Sequence, residues 1–107
     1  MQSDHFVVFV TCADEGQARS VAQAVLEPKL AACVNIVPRI RSLYWWDGAV
    51  QDDPEVLCII KTTATGFEPL RKAVADVHPY DVPEIIAVPI TAGHKPYLDW
   101  IDDCVTS

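Results

Sequence analysis

The dipeptide Asp47-Gly48 lies between two long segments that both favour extended backbone, and this arrangement constrains the fold more than any other part of the sequence. A pair of this type adopts the positive φ angles of the tight turn that joins two antiparallel strands. The segment 30–62 reads as mostly extended on either side of the turn, with Pro38 and Pro54 as local interruptions. The sequence therefore predicts a long central hairpin.

Helices and further strands are predicted on both sides of this hairpin. Residues 6–10 and 84–90 favour strands, and a helix follows Asp14, whose side chain can cap it. Apolar residues recur at helical spacing in 67–77, after a capping-box pattern from Thr65 to Glu68, and again in 97–104. The order β-α-β-β-α-β plus a C-terminal helix predicts an α+β fold, a ferredoxin-like sandwich with helices on one sheet face. Residues 1–107 fit one domain.

Aromatic residues near the turn indicate an interface. The other sheet face would be bare in a monomer, and the hairpin is longer than so small a sheet can cover. Trp45 and Trp46 are consecutive, so they point to opposite faces of a strand and one of them needs an apolar partner elsewhere. Exposed strand edges and aromatic area usually mark contact surfaces. We therefore expect an oligomer with Tyr44, Trp45 and Trp46 at its interface.

Composition excludes several classes of function. The chain has 8 Lys and Arg against 15 Asp and Glu, a net charge of −7, which disfavours binding to nucleic acid phosphates. It has no apolar run of the roughly 20 residues that cross a membrane, and its first residues do not resemble a signal peptide. The four cysteines form no CxxC pair, which favours free thiols in a reducing compartment. These features predict a cytoplasmic protein that does not contact a membrane.

Five segments together resemble the CutA family of divalent-cation tolerance proteins, in the same order and over essentially the whole chain. The resemblance implies a homotrimer of ferredoxin-like protomers, similar in architecture to the PII signalling proteins, and an association with copper and other divalent metals. It implies no catalytic activity, and we expect none. The segments are LAACVNI (30–36), SLYWWDG (42–48), EVLCIIKT (55–62), HPYDVPEI (78–85) and GHKPYLDWI (93–101).

Cys33, His78 and Glu84 are the candidate metal ligands, for Cu²⁺ or another divalent cation. Cys33 matches the family's cysteine in the strand after the first helix, and copper favours sulfur, but a cysteine there is equally typical of a core. His78 and Glu84 bracket a loop on which an imidazole and a carboxylate can converge on one cation. In the alternative, His78 caps the preceding helix and Glu84 pairs with Lys61.

A ligand pocket is the second candidate site. In the family, aromatic, His and Glu positions gather around a cleft between subunits, and we assign Lys61, Tyr80, Tyr97 and Trp100 to such a pocket here. Lys61 ends an apolar strand, where it can bind an anionic ligand or simply reach solvent. The spacing of Tyr97 and Trp100 is also that of helix residues in a core. The remaining cysteines, Cys12, Cys58 and Cys104, are predicted to be core residues.

Two functions are therefore open. The first is a trimeric protein that binds divalent metal ions, copper among them, in the response to those ions. The second is a PII-like signalling or scaffold trimer that binds a small ligand and a protein partner. The chain has no glycine-rich phosphate loop, so the sequence predicts no organic cofactor.

Overall fold

The structure, a computed structural model, describes residues 4–105. Within these residues, three helices and four strands follow one another in the predicted order. They are β1 (His5–Cys12), α1 (Glu15–Leu26), β2 (Cys33–Trp46), β3 (Ala49–Thr63), α2 (Phe67–Val77), β4 (Ile85–Pro89) and α3 (Lys95–Cys104).

The four strands form one antiparallel sheet in the order β2-β3-β1-β4. Helices α1 and α2 contact each other and cover one face of it. Alternate residues of β1 and β3 point into the core beneath these helices, because successive side chains of a strand face opposite sides. The predicted ferredoxin-like α+β fold is confirmed. The fully buried core residues include Val8, Val10, Cys12, Val21, Val25, Cys58, Ile60, Leu70 and Val74.

The central hairpin forms at the predicted turn. The register runs out to Trp46 opposite Ala49, and Asp47 and Gly48 have φ angles of 54° and 76°. Positive φ at both turn residues is the geometry that matches the twist of the joined strands. Strand β1 reaches only to Cys12 opposite Val56, so the outer part of the hairpin has no third strand beside it. The hairpin therefore projects from a molecule whose extents are 43 × 28 × 22 Å.

The start of β2 differs from the prediction. The strand begins at Cys33 and not at residue 30, because the chain turns first, with Lys29 at a φ of 61°. The backbone N–H groups of Leu30 and Ala31 both donate to the carbonyl of Val25, at 2.9 and 3.1 Å. These bonds turn the chain after α1, and the carbonyl of Leu30 accepts from Thr62 Oγ1 of β3 at 2.7 Å before the strand pairing begins at Cys33.

The start of α2 also differs. Gly66 is the N-cap, and its N–H donates to Thr63 Oγ1 at 3.0 Å, so the predicted Thr65 capping box does not form. Glu68 instead accepts from Arg71 one turn along the helix. A side chain at position 66 would approach Thr62 Oγ1 to 2.8 Å, which explains the glycine there.

The second face of the sheet is covered at one end by α3. Ile101 is fully buried, and His5 Nε2 lies 3.0 Å from Asp102 Oδ1. Further along this face, β4 presents Ile86 and Val88, each about half exposed. The prediction of a bare face therefore holds for only part of it. No helix in residues 4–105 has the length and apolar character needed to span a membrane.

Candidate functional site

A cleft of about 610 Å³ lies where the central hairpin leaves the sheet. Its walls come from the end of β1, from β2 and β3 of the hairpin, and from the loop between α2 and β4. We call it the hairpin cleft. The lining residues that bear on its chemistry are Thr11, Arg41, Tyr44, Glu55, Tyr80 and Glu84.

His78 holds the α2–β4 loop against β1. It ends α2 in an extended backbone conformation, and its ring is buried. The backbone N–H of Tyr80 donates to Nδ1 at 3.2 Å, so that nitrogen carries no proton, and Nε2 then donates to the carbonyl of Thr11 at 2.8 Å. Because both ring nitrogens are engaged, His78 can bind a metal only by giving up one of these bonds.

Tyr80 connects this histidine to β3. Its ring meets the ring of His78 edge-on, with 4.5 Å between centroids, and its hydroxyl donates to Glu55 Oε2 at 2.8 Å. Burial and the hydrogen bond to the Glu55 carboxylate raise the pKa of Tyr80 well above its ordinary value. The chain of contacts from Thr11 through His78 and Tyr80 to Glu55 fixes one wall of the cleft.

Glu84 is a second carboxylate of the hairpin cleft. Burial, followed by the negative charge of Glu55, raises the pKa of Glu84 above its ordinary value. Arg41 also lines the cleft, but its guanidinium forms a two-point ion pair with Asp52, at 2.7 and 2.9 Å. The cleft is therefore lined by three carboxylates, those of Glu55, Asp81 and Glu84, of which Glu55 acts on Glu84, and its arginine already has an anionic partner.

The other predicted site residues lie at the opposite end of β3. Lys61 is six residues from Glu55 along the strand, or roughly 20 Å. Cys33 Sγ donates to Asn35 Oδ1 at 3.8 Å, and Lys61 Nζ donates to the same oxygen. Burial, then the neighbouring Cys33, raises the pKa of Tyr97. Lys61 thus bonds Asn35, and the predicted pairing with Glu84 is wrong.

The structure separates the residues that the sequence grouped. Cys33 lies at the Lys61 end, whereas His78 and Glu84 lie at the hairpin cleft. In residues 4–105 no three His, Cys, Asp or Glu side chains are placed to hold one metal ion. Of the predicted ligand pocket, only Tyr80 lines the cleft.

Tyr97 and Trp100 form a ring pair on α3, with 5.4 Å between centroids. Each is 42% exposed, so the interpretation as core residues is wrong. Ile101 is the residue of α3 that is fully buried, because only one side of this helix faces the sheet.

Glu55 is the cleft residue that sequence reasoning missed. It precedes the apolar run 56–60, and strand alternation places it on the same face as Lys61. The sequence did contain a signal for Glu55, because this strand face carries a charged residue at each end of its apolar run, Glu55 and Lys61. The hydrogen bond to Tyr80 joins residues 25 positions apart, which no local pattern predicts.

The three aromatic residues of the hairpin are exposed. Trp45 is 75% exposed, Trp46 about half, and Tyr44 somewhat less, with its hydroxyl donating to Asp53 Oδ2 at 2.7 Å. Leu43 and Val50 beside them are also more than half exposed. This outer part of the hairpin is therefore an apolar surface that one protomer leaves in contact with solvent.

Comparison with known proteins identifies relatives along nearly the whole chain. The family model "CutA1 divalent ion tolerance protein" matches residues 6–104. The "Divalent-cation tolerance protein CutA" of Thermus thermophilus is 50% identical over 95 residues, which cover 89% of this chain and 92% of that protein. The chloroplastic "Protein CutA" of Arabidopsis thaliana is also 50% identical over 95 residues, and this chain spans about half of it, 52%.

Solved structures of CutA1 proteins share the fold. The crystal structure of CutA1 from the psychrotrophic bacterium Shewanella sp. SIB1 superposes with a TM-score of 0.95, with 40% sequence identity and complete coverage of both chains. At this level of identity and coverage, the shared fold extends to the hairpin and to α3.

Proposed function

The chain belongs to the CutA1 divalent ion tolerance protein family, and from that premise we propose that it binds divalent cations, copper among them, as a cytoplasmic homotrimer. The family sets the class of ligand. The four cysteines, all free thiols, favour a reducing compartment. We assign no catalytic role to the protein, since a thiol nucleophile needs a base beside it, and Cys33 and His78 lie at different positions along β3, next to Lys61 and near Leu57 respectively.

The observation that carries the proposal is the carboxylate pair of the hairpin cleft. The charge of Glu55 raises the pKa of Glu84, so the two carboxylates repel each other when both are ionised. A divalent cation between them would remove this repulsion, and carboxylate oxygens are suitable ligands for such ions. Tyr80 supports the site, because its hydroxyl orients Glu55.

The predicted metal ligands take different roles in this proposal. Glu84 is a direct ligand together with Glu55. His78 acts chiefly by positioning, since its two nitrogens hold the loop that carries Tyr80. Cys33 is the first residue of β2 and lies beside Lys61, at the end of β3 that is distant from the cleft. It contributes to metal binding only where the Cys33 of another subunit comes close to a cleft.

The trimer is supported by the surfaces that one protomer leaves open. The exposed aromatic residues of the hairpin and the half-exposed Ile86 and Val88 of β4 are apolar area of the kind that subunit interfaces bury. Closed cyclic assemblies bury such surfaces without leaving a free edge.

Calorimetric titration with Cu²⁺ tests the proposal. We expect Glu84→Gln to weaken binding by tenfold or more, about 1.4 kcal/mol, because it removes a charged ligand. Asp103→Asn, which changes an exposed carboxylate of α3, is the matched control and should bind as the wild type does. Affinity should fall as the pH is lowered, because the raised pKa of Glu84 means that protons compete with the metal at a higher pH than at an ordinary glutamate.

Equal binding by the two variants would place the cation elsewhere and overturn this assignment of the site. Weak Cu²⁺ binding by the wild type and by both variants would favour the second function, a PII-like trimer whose small ligand occupies the hairpin cleft. The observation favouring that alternative is the volume of the cleft, about 610 Å³, which exceeds what a metal ion needs.

A further inference from the structure

Cys12 and Cys58 form a pair of buried thiols on the side of the sheet that α1 covers. Cys12 is opposite Val56 and Cys58 is opposite Val10, so the two cysteines are diagonal neighbours on the same face of β1 and β3. Both are 0% exposed. Diagonal neighbours on one face of adjacent strands are roughly 7–8 Å apart, with their Cβ atoms somewhat closer.

The two thiols act on each other's ionisation. The neighbouring Cys12 thiol holds the pKa of Cys58 below its ordinary value, while Cys58, and then burial, raise the pKa of Cys12. Cys58 Sγ also donates to the carbonyl of Ala18 at 3.9 Å. Two buried thiols on one face of the sheet are therefore near enough to affect each other, and their proximity favours ionisation of Cys58 over that of Cys12.

This thiol pair lies directly behind the wall of the hairpin cleft. Thr11, the residue before Cys12, lines the cleft, and so does Glu55, whose charge acts on Cys12. On the other side, Ala13 and Asp14 are exposed. Cys12 therefore lies between a residue that lines the cleft, Thr11, and an exposed residue, Ala13. A local separation of the end of β1 from β3 would be enough to admit a small ion to the two thiols.

We propose that Cys12 and Cys58 form a two-thiolate site for a soft divalent cation, for which Hg²⁺ is the suitable probe. The cation forms one bond with each sulfur and displaces both thiol protons to solvent, with no change of oxidation state. Soft metals favour thiolate ligands, and two thiolates neutralise a divalent ion, so the buried complex carries no net charge.

Two-coordinate binding fits the surroundings of the pair. Linear coordination needs no third ligand, which agrees with residues 4–105 having no group of three metal-binding side chains. Two metal–sulfur bonds of about 2.3 Å in a line span roughly 4.6 Å, a separation that the side chains of diagonal neighbours can reach. The inference deepens the proposed function, on which it rests for its class of ligand, by adding a soft-metal site behind the cleft.

Two variants that each keep two cysteines test the site. Cys33→Ala/Cys104→Ala keeps the buried pair, and Cys12→Ser/Cys58→Ser keeps the two partly exposed cysteines. We expect the first to bind one Hg²⁺ per chain, with release of two protons, while native mass and circular dichroism show an intact fold. Because both sulfurs of the buried pair bind the same ion, the first variant should bind Hg²⁺ about 100-fold or more tightly than the second variant does.

The proposal is overturned if the variant that keeps the buried pair binds no more tightly than the other, releases fewer than two protons, or takes up Hg²⁺ only as it unfolds. If Cys12→Ser/Cys58→Ser does not fold, Cys58→Ser alone in the Cys33→Ala/Cys104→Ala background replaces it, since a hydroxyl can still donate to Ala18. Glu84→Gln in that same background should leave Hg²⁺ binding unchanged. Failure of the thiol site is thereby distinguished from failure of the cleft.

Discussion

The inner and outer halves of β3 have the same backbone conformation but opposite environments. In the inner half, Val56, Cys58 and Ile60 are almost completely buried, with strands on both sides and helices above. In the outer half, Val50 is more than half exposed, and only β2 lies beside it. The inner half is stabilised by burial within one protomer. The outer half stays extended because of the turn and its pairing with β2, and its apolar surface faces solvent.

The largest difference between the halves is expected when apolar side chains are truncated. Ile60→Ala should lower the free energy of unfolding by about 2–5 kcal/mol, because it leaves a cavity in a fully buried position. Val50→Ala in the outer half should change it by no more than about 0.5 kcal/mol in the dissociated protomer. Urea unfolding at low protein concentration measures both values. Similar losses for the two variants would mean that the halves do not differ as described.

The next effect concerns assembly. Trp45→Ala should weaken self-association by at least tenfold, because a tryptophan that is 75% exposed in the protomer is a typical centre of an interface. Its far-UV circular dichroism should not change. Sedimentation velocity over a range of concentrations measures the assembly, with Leu26→Ala on the outer side of α1 as the control. A variant that sediments as the wild type does would remove Trp45 from the interface.

The smallest effect is expected at the turn that joins the halves. A Cβ at Gly48 would meet no atom within 4 Å, so Gly48→Ala tests only the cost of a φ of 76°. That cost is about 1–2 kcal/mol, which corresponds to a fall in Tm of several degrees. Gly16→Ala, in the first turn of α1, should lower Tm by less, because alanine favours helix and its Cβ would only press on the Asp14 side chain, at 3.2 Å from Oδ1. Equal changes in Tm for the two variants would contradict this account of the turn.

Local patterns predicted the parts of the fold that depend on neighbours in the chain. Asp14 caps α1, accepting from the N–H of Gln17 at 2.8 Å, and Asp47-Gly48 forms the turn, both as predicted. The predicted Thr65 capping box was wrong. The N–H of Gly66, at the start of α2, donates instead to the hydroxyl of Thr63 at the end of β3. Competition between two nearby threonines is decided by where the strand ends.

The candidate site was predicted less well than the fold. His78 and Glu84, predicted as metal ligands, and Tyr80, predicted for the ligand pocket, share one loop, and that proximity in the chain places all three near the hairpin cleft. Cys33 and Lys61 were assigned to the same sites, but the register places them side by side at the other end of β3. Glu55 was missed because its partner Tyr80 is distant in sequence.

The sequence by itself determined the order of the elements, the long hairpin and its turn, since these follow from apolar spacing and from the φ angles that Asp and Gly tolerate. Only the tertiary structure decided which side chains meet. The presence of Glu55 and Glu84 in one cleft and the diagonal placement of Cys12 and Cys58 both depend on strand register and on the packing of helices against the sheet. Register is set by the burial of a whole sheet face, a property of the assembled core that no short segment carries.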